Sequence, residues 1–348
     1  MKIMRFVGPY EVDVVERPDE PLGPTRVRVH TLYSGISAGT ELTAYRGTNP
    51  YVSAVWDPQA HLFEPGDGST PAYPLEAWGY SEVGRVSDVG EDVDTVSVGD
   101  VVWGIWGHRS EAVLEAAVLR GHVMPPGTDP LVGSFVRVGA IALNAVLAAQ
   151  LAPGMVVVVL GQGVIGQLAT RFAGMNGATV YAIDAIQGRR ERAVLVYGAA
   201  DSFPPGHDVA RLIRDLTGGL GADVAIELSG HPAALHEATR LVGPDGLVVA
   251  SGFYQGGAQQ LLLGEEFHHN RVTIRCSQIG AVPSHLAARW TRERLHLVAA
   301  QHLVSGDPEV TSLVTHRFAL EDAAEAYRLL DRPTPEVLQV VFDFTDGE

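Results

Sequence analysis

The stretch Met155-Val-Val-Val-Val-Leu160, followed by Gly161-Gln-Gly163-Val-Ile-Gly166, decides the fold of this chain. A run of β-branched and large apolar residues that ends at glycines predicts a strand buried on both faces. The next segment, Gln167 to Ala173, has helix-forming residues and an apolar face at helical spacing. The sequence therefore predicts a strand, a glycine turn and a helix, which together form the first unit of a doubly wound parallel sheet.

The glycine turn has the spacing G-x-G-x-x-G, which suits the phosphates of a dinucleotide. One glycine allows the tight turn, one lets the backbone approach a pyrophosphate, and one lets the helix pack on the strand. The helix N-terminus favours anions through its free N–H groups and its dipole. We predict that Gly161, Gly163, Val164, Ile165 and Gly166 contact the cofactor. An ordinary glycine turn in a βαβ unit is the alternative.

A second predicted strand, Ala178 to Ile183, ends at Asp184, where an acid can bind the ribose diol. A carboxylate there would repel a 2′-phosphate, so Asp184 favours NAD over NADP. Arg189 and Arg190 lie on the helix that follows, where they either bind such a phosphate or face solvent. NAD is therefore the expected cofactor, with NADP as the alternative.

Composition limits the class of protein. The 348 residues are 46% hydrophobic, which is enough for two cores, and the formal charge of −16 opposes binding to nucleic acid or an anionic membrane. The single cysteine, Cys276, allows neither an intrachain disulfide nor a four-cysteine zinc site. The first residues lack the apolar core of a signal peptide, and the apolar runs look too short or too interrupted to span a bilayer. We expect a cytoplasmic protein with a small-molecule substrate, no nucleic-acid partner and no membrane partner.

The chain has three regions with different patterns. Residues 1 to about 125 contain short alternating strands and turns, typical of a β-rich, barrel-like domain. From about 130 to 280, strands alternate with helical patterns, as a doubly wound sheet requires. The remainder predicts helices near Leu286–Gln301 and Leu320–Asp331 and a final strand at Val337–Phe342.

This order resembles the medium-chain dehydrogenase/reductase superfamily, and local motifs extend the resemblance over nearly the whole chain. The segment Gly35–Glu41 is similar to the family's G-I-C-G-T-D, which carries the first catalytic zinc ligand, and Gly79–Gly84 is similar to G-H-E-x-x-G. The resemblance implies an α/β fold with a GroES-like, β-rich barrel domain of residues 1–125 and 281–348. Residues 126–280 would form a Rossmann domain, with the active site in the cleft between the two.

The resemblance also extends the expected cofactor contacts and implies an assembly. The segments Gly221–Glu227 and Leu247–Gly252 match later Rossmann strands of the family. The resemblance implies a homodimer in which the parallel sheets of two chains join edge to edge at Val272–Ser277. Within the superfamily, the chain looks most like a branch that contains bacteriochlorophyllide a dehydrogenase, which labels the branch and assigns no substrate. The further cofactor contacts that it implies are Ser229, Gly252, Phe253 and Ser277.

Departures from the family motifs predict a member that works without zinc. Where zinc members have cysteine, this chain has Ser37 or Ala38, and where they have histidine it has Tyr80. The third ligand position falls near Arg137. Zinc binds thiolate, imidazole or carboxylate, and a guanidinium repels it. We expect no metal ligand in this chain.

The candidates for acid–base chemistry come from the same motifs. Tyr80 could donate a proton to a carbonyl, especially with its pKa lowered by nearby cations, or could line the pocket by packing alone. Thr40 matches a proton-relay position of the family, or else stabilises a turn. Glu41 could act as an acid or base if buried, with an interdomain salt bridge as the alternative. Ser37 is expected to line the pocket floor, and His108 is expected in a surface loop.

The leading hypothesis is a zinc-independent, NAD(P)-dependent oxidoreductase that transfers a hydride between nicotinamide and an alcohol or ketone. The first alternative is an enoyl or quinone reductase that uses NADPH to reduce a carbon–carbon double bond. The second is a nucleotide-binding protein without catalysis, in which Tyr80 and Thr40 are structural.

Overall fold

The computed structural model of the protein describes residues 1–66, 73–206, 208–332 and 335–345. Contacts divide the chain into a first unit, Met1–Arg137 with Val310–Glu348, and a second unit, Val138–Glu309. Both boundaries lie later in the chain than the sequence predicts. The second one is later because the helix that ends at Val304 packs within the second unit, where a Cβ on Gly139 would lie 3.0 Å from Leu303.

The first unit begins with nine strands and one short helix. They are β1 (Lys2–Gly8), β2 (Glu11–Glu16), β3 (Arg26–Gly35), α1 (Glu41–Tyr45), β4 (Ala54–Asp57), β5 (Leu62–Pro65), β6 (Leu75–Glu76), β7 (Glu82–Val89), β8 (Val101–Gly104) and β9 (Glu111–Glu115).

The second unit contains the alternating strands and helices. They are α2 (Val136–Ala148, which starts just before the boundary), β10 (Val156–Leu160), α3 (Val164–Met175), β11 (Thr179–Ile183), α4 (Gln187–Leu195), β12 (Asp201–Phe203), α5 (Val209–Leu216), β13 (Ala222–Glu227), α6 (Pro232–Leu241), β14 (Val242–Ala250), β15 (Thr273–Cys276) and α7 (Arg292–Val304). The chain then returns to the first unit with β16 (Val314–Phe318), α8 (Ala323–Asp331) and β17 (Gln339–Asp343).

The first unit is built on a six-stranded sheet with the order β16-β17-β3-β7-β8, in which β9 also pairs with β3. Strand β17 lies antiparallel to β3, with Phe342 opposite Ser34. The C-terminal segment therefore completes the sheet that the N-terminal residues begin. A core of buried side chains, among them Met4, Phe6 and Tyr327, packs between β1, α1 and α8.

The second unit is a parallel six-stranded sheet with the order β12-β11-β10-β13-β14-β15. Strand β10 pairs with β11 on one side, with Val156 opposite Thr179, and with β13 on the other. The strand order thus reverses at β10, which is the position where open α/β sheets bind ligands, beyond the carboxyl ends of the strands. The α/β fold class, with a β-rich unit and a doubly wound parallel sheet, is confirmed.

One helical segment bears on the prediction that the apolar runs are too short or too interrupted to span a bilayer. Among the described residues, the 19-residue segment Pro130–Ala148 is long and apolar enough by length and composition. However, 83% of it is buried inside the protein, as in a core helix of a globular fold. The absence of a membrane partner stays a prediction.

The C-terminal helices begin later than the sequence predicts. The predicted start at Leu286 falls in a short 3-10 turn, and α7 begins after Thr291, whose hydroxyl accepts a hydrogen bond from the Arg294 N–H at 3.1 Å. Such an N-cap satisfies a backbone donor that would otherwise lack a partner, so it fixes where the helix starts.

Candidate active site

All four predicted catalytic residues lie together at one end of β3. The chain leaves β3 at Gly35 and makes a turn over residues 37–40 before α1 begins at Glu41. The phenol of Tyr80, which precedes β7, forms a short hydrogen bond with the hydroxyl of Ser37. The Thr40 N–H donates to the same Ser37 oxygen at 3.4 Å. The turn therefore presents two hydroxyls to the phenol.

Tyr80 is half-buried, and its neighbours shift the pKa of its phenol. Burial raises the pKa of the phenol, and the charge of Glu41 raises it further. Hydrogen bonds with Ser37 and Thr40 and the cation of Arg137 act in the opposite direction without offsetting this. The phenol therefore stays protonated at neutral pH, so that it has a proton to give, and the raised pKa makes it a weaker acid than a free phenol.

Glu41 is fully buried and binds Ser37, His108 and Tyr327, all in the first unit. Its Oε1 accepts the N–H of Ser37 at 2.8 Å, and its Oε2 accepts the hydroxyl of Tyr327 on α8. The same Oε2 lies 2.7 Å from Nε2 of His108. The salt bridge that the structure describes for Glu41 is therefore the one with His108, inside the first unit.

His108 is fully buried, which corrects its expected position in a surface loop. Its Nδ1 lies 2.6 Å from the hydroxyl of Ser34, which donates to Glu82 at 3.1 Å. Burial alone disfavours the charged imidazole, but the carboxylate of Glu41, its hydrogen bond and the charge of Glu82 outweigh that effect and raise the pKa of His108. In the sequence, the signal for these contacts is two acids, Glu41 and Glu82, and one histidine in segments predicted to form strands and turns.

Glu82 and Tyr327 complete this buried group, which we call the His108 cluster: Ser34, Glu41, Glu82, His108 and Tyr327. Burial raises the pKa of Glu82, although His108 and the N–H of Trp106, which donates at 2.8 Å, oppose the rise. Burial and the neighbouring Glu41 also raise the pKa of Tyr327 well above its usual range. Both groups therefore hold their protons more tightly than they would in water.

The residues at the family's zinc positions do not fit a zinc ion. Ser37 and Tyr80 bond to each other through neutral hydroxyls, and Arg137 brings a positive charge that acts on the phenol. Zinc requires thiolate, imidazole or carboxylate donors. This donor set supplies none of them.

A different group in the second unit has metal-type side chains. Within the described ranges, His236, Glu265 and Glu266 are the one set of three whose ligand atoms lie within 4.8 Å of one another. The Nε of Arg240 lies 3.4 Å from Glu266, and a guanidinium there competes with a cation for the carboxylate. We assign no metal to this group.

The predicted glycine turn lies between β10 and α3, as the sequence indicates. Gly161 has a φ of +85°, and a Cβ there would lie 2.7 Å from the Ser229 N. A Cβ on Gly166 would overlap the carbonyl oxygen of Gly161, so both positions require glycine for packing. Gly163 differs, because a Cβ there would meet no atom within 4 Å and its φ of −71° suits any residue. Open space beside Gly163, which directly precedes Val164 and Ile165 at the N-terminus of α3, is suited to an anion.

Asp184 follows β11 and holds two backbone segments. Its Oδ2 accepts the Gln162 N–H at 2.7 Å, and its Oδ1 accepts the Ile186 N–H at 2.8 Å. The guanidinium of Arg190 donates to the carbonyl oxygen of Asp184 at 2.8 Å. The carboxylate thus ties the glycine turn to the start of α4, and Arg190 is engaged by the backbone of the same loop.

Arg189 and the buried Gln167 connect α3 to α4. The Gln167 amide donates to the carbonyl oxygen of Arg189 at 2.8 Å and to that of Gln162 at 3.3 Å. This arrangement keeps the first turn of α4 beside the glycine turn, where the ribose site is predicted.

The other predicted cofactor residues each follow a strand of the parallel sheet. Ser229 follows β13, and its N–H and hydroxyl both donate to Glu227, the N–H at 2.7 Å. Gly252 and the exposed Phe253 follow β14, where a Cβ on Gly252 would lie 2.9 Å from Glu227. Ser277 is buried and accepts a hydrogen bond from Asn144 at 3.2 Å, so its side chain is engaged within the unit.

Glu227 organises these loops and was not predicted. The Gly230 N–H donates to it at 3.2 Å, and the hydroxyl of Tyr254 also donates to it. Burial, followed by the charge of Glu227, raises the pKa of Tyr254. A buried glutamate at the carboxyl end of the strand, directly after Val224, Ala225 and Ile226, is the signal that could have revealed it.

The second unit matches a known family. Residues 164–293 match the family described as "Zinc-binding dehydrogenase". This match covers the helix after the glycine turn, the remaining strands of the parallel sheet and the beginning of α7.

Similar proteins cover nearly the whole chain. D-guloside 3-dehydrogenase of Shigella flexneri is 29% identical over 94% of this chain and 95% of its own length. L-threonine 3-dehydrogenase of Pyrococcus furiosus is 26% identical, with 94% of each chain covered. The crystal structure of 2R,3R-butanediol dehydrogenase from Bacillus subtilis superposes with a TM-score of 0.77 at 22% identity, covering 98% of this chain and 99% of that one. The two named relatives are dehydrogenases, and the solved structure supports the fold.

Proposed function

We propose that this chain is a member of the zinc-binding dehydrogenase family and that this oxidoreductase acts on a secondary alcohol or its ketone with NAD and without zinc. The observation that carries the proposal is the hydrogen bond between Tyr80 and Ser37 at the positions where zinc members hold the metal. Two hydroxyls there supply a proton donor instead of a Lewis acid.

The cofactor part of the proposal is supported by the turn between β10 and α3. Gly161 and Gly166 are required by packing, whereas Gly163 leaves open space next to a helix N-terminus. A pyrophosphate approaching the backbone explains a glycine that no protein neighbour requires. Asp184 has the carboxylate that favours the ribose diol of NAD, and NADP remains the alternative.

The chemistry divides between the cofactor and the chain. Bound nicotinamide would take the hydride from the alcohol carbon or return it to the carbonyl carbon. In the reduction, Tyr80 gives its phenolic proton to the substrate oxygen. In the oxidation the proton of the substrate hydroxyl passes to the deprotonated form of Tyr80, whose fraction is small at neutral pH and grows as the pH rises. Ser37 stabilises the phenolate by donating a hydrogen bond, and Thr40 supports the same turn.

The substrate class is supported by the two relatives. The Shigella flexneri and Pyrococcus furiosus enzymes are both named for oxidation at carbon 3 of their substrates, and in each case this carbon bears a secondary hydroxyl. We propose a small polar substrate with a secondary hydroxyl. The bacteriochlorophyllide-dehydrogenase branch remains a prediction from motifs and adds no substrate.

Two further predictions accompany the proposal. A homodimer joined at β15 is compatible with its position at the edge of the six-stranded sheet, since pairing would satisfy that edge. Light scattering of the purified protein measures this state. A cytoplasmic location is a second prediction, which fractionation of the source cells tests.

The first experiment is a thermal-shift titration with NAD⁺, NADH, NADP⁺ and NADPH. A ligand at 100 times its Kd stabilises the fold by about 2.7 kcal/mol, which raises the midpoint by several degrees. Stabilisation by the NAD pair supports the proposal, stabilisation by NADPH alone favours the reductase alternative, and no shift with any nucleotide contradicts the cofactor site.

Turnover is then measured with methyl glycosides, polyols and L-threonine, and with 2-alkenals and quinones for the reductase alternative. Tyr80→Phe removes the proton donor and should lower turnover by about 10²–10⁴-fold. Tyr51→Phe, at an exposed tyrosine of the same unit, is the matched control and should leave turnover unchanged. Equal turnover by wild type and Tyr80→Phe would dismiss Tyr80 as the donor.

A further inference from the structure

The His108 cluster brings five side chains from five segments into the interior of the first unit. Ser34 lies on β3, Glu82 on β7 and Tyr327 on α8, while Glu41 begins α1 and His108 lies in the link between β8 and β9. All five are nearly or completely inaccessible to solvent. Buried charges are costly unless they are paired, so such a group is unusual in a core.

Hydrogen-bond accounting limits where the protons lie. Ser34 gives its hydroxyl proton to Glu82, so the contact between Ser34 and Nδ1 of His108 requires an N–H on Nδ1. Glu41 accepts from the Ser37 N–H and from the Tyr327 hydroxyl, as a carboxylate does. The remaining contact, between Glu41 and Nε2 of His108, is then satisfied by a second N–H. With Glu82 ionised, this accounting assigns His108 as an imidazolium that binds Glu41 directly and Glu82 through the Ser34 hydroxyl.

The surroundings of His108 agree with this assignment. The charged groups that act on it are Glu41 and Glu82, both negative when ionised. Phe342, on β17, packs against the imidazole in an edge-to-face arrangement, with 5.0 Å between the two ring centroids. Gly79 leaves room for the imidazole, because a Cβ there would lie 2.9 Å from its Nδ1. The ring is thus fixed on every side by packing or hydrogen bonds.

We propose that His108 is a positioning residue for the reaction, which acts through Glu41 on the turn that holds Tyr80. The connection is continuous: His108 binds Glu41, Glu41 binds the Ser37 N–H, and the Ser37 hydroxyl binds Tyr80. The inference rests on the proposed function, in which Tyr80 transfers the proton.

Two effects follow from this connection. The imidazolium fixes the Glu41 carboxylate, and so the orientation of the Ser37 hydroxyl toward the phenol. It also offsets the negative charge of Glu41, which otherwise makes a phenolate at Tyr80 less stable. Removal of the positive charge should therefore make Tyr80 a weaker acid.

The test compares the pH dependence of alcohol oxidation in three variants: His108→Gln, Glu41→Gln and the double variant. In His108→Gln, the pH profile of alcohol oxidation, which requires the phenolate, should shift to higher pH by about one unit. Turnover near neutral pH should then be about tenfold lower. The double variant also lacks the carboxylate charge, so its profile should lie closer to wild type than that of His108→Gln.

His122→Gln is the matched control, because His122 lies in the same unit, stacked on Trp103 at 3.6 Å, and has no contact with the His108 cluster. This control should keep the wild-type profile. A His108→Gln enzyme with wild-type turnover and pH profile would overturn the inference while leaving Tyr80 in its role. By contrast, wild-type turnover in Tyr80→Phe would overturn the proposed function itself.

A measurement on the wild-type protein serves if His108→Gln does not fold. The ¹⁵N chemical shifts of histidine side chains distinguish an imidazolium from either neutral tautomer, and the double variant identifies the His108 signals by their loss. Two protonated nitrogens on His108 at neutral pH support the assignment. A neutral ring would contradict it, whatever the activity of the enzyme.

Discussion

The Nε2 of His108 lies 2.7 Å from the Oε2 of Glu41, with both side chains excluded from solvent. This pair couples folding to pH, because burial lowers the pKa of the His108 imidazole but the Glu41 carboxylate and Glu82 outweigh burial and raise it above the ordinary 6.5. A raised histidine pKa contributes stability that is complete below pH 6.5 and is lost as the pH rises through the folded-state value. Burial also raises the pKa of Glu82, so the titration of Glu82 likewise lowers stability as the pH rises.

We therefore predict that the free energy of unfolding falls as the pH rises above the ordinary range of histidine. Urea titrations at a series of pH values measure this slope. The Glu41→Gln, His108→Gln double variant should show a shallower slope, while His108→Gln alone should be destabilised by about 3–5 kcal/mol because Glu41 is left as an uncompensated buried charge. Equal slopes in wild type and the double variant would contradict the coupling.

Gly163 permits a test that separates cofactor binding from folding. Gly163→Ala adds a methyl group where no protein atom lies within 4 Å, so the fold should be unaffected. The methyl group would occupy the space proposed for the pyrophosphate, and the affinity for NAD should fall about tenfold or more. Isothermal titration calorimetry measures the affinity.

The matched control is Gly174→Ala, which lies in the same helix, also with no atom within 4 Å of the added Cβ. This change should leave the affinity for NAD unaltered and stabilise the protein by up to about 1 kcal/mol, because alanine favours a helix interior. Equal affinity in both variants would mean that the pyrophosphate does not lie beside Gly163.

Asp184 should determine the preference between NAD and NADP. Asp184→Ser removes the charge that disfavours a 2′-phosphate, so the ratio of NAD to NADP affinity should fall. Because Asp184 also accepts the N–H groups of Gln162 and Ile186, both affinities should weaken as the turn loosens. Asp184→Asn keeps one acceptor and the volume, and should shift the ratio with less overall loss. If the ratio does not move in either variant, the ribose does not bind at Asp184.

Chelation should leave the enzyme active. The hydroxyls of Ser37 and Tyr80 and the cation of Arg137 are poor partners for zinc, so dialysis against EDTA should not lower turnover. Elemental analysis of the purified protein should find less than one zinc per chain, with a zinc-dependent alcohol dehydrogenase treated in parallel as the control. Lost activity that zinc restores would reverse this prediction.

The parallel-sheet unit was predictable in detail from local patterns. The run Val156–Leu160 forms β10, the glycines follow it, and Asp184 comes directly after β11. In contrast, β14 begins at Val242, directly after α6, where the sequence predicts only a strand from Leu247. Its first residues are extended because they pair with β13, with Val242 opposite Ala222. A short segment that is made a strand by its neighbour carries little signal of its own.

The sequence alone determined the α/β class, the glycine turn and the choice of Tyr80 with Ser37, because each depends on residues close together in the chain or on a motif. Only the tertiary structure decided the environment of those residues. Ser34, Glu41, Glu82, His108 and Tyr327 meet because strands and helices distant in sequence pack into one core. Burial and the charge of Glu41 raise the pKa of Tyr80, and the sequence could not show this, since a pKa depends on solvent exclusion and on neighbours in space.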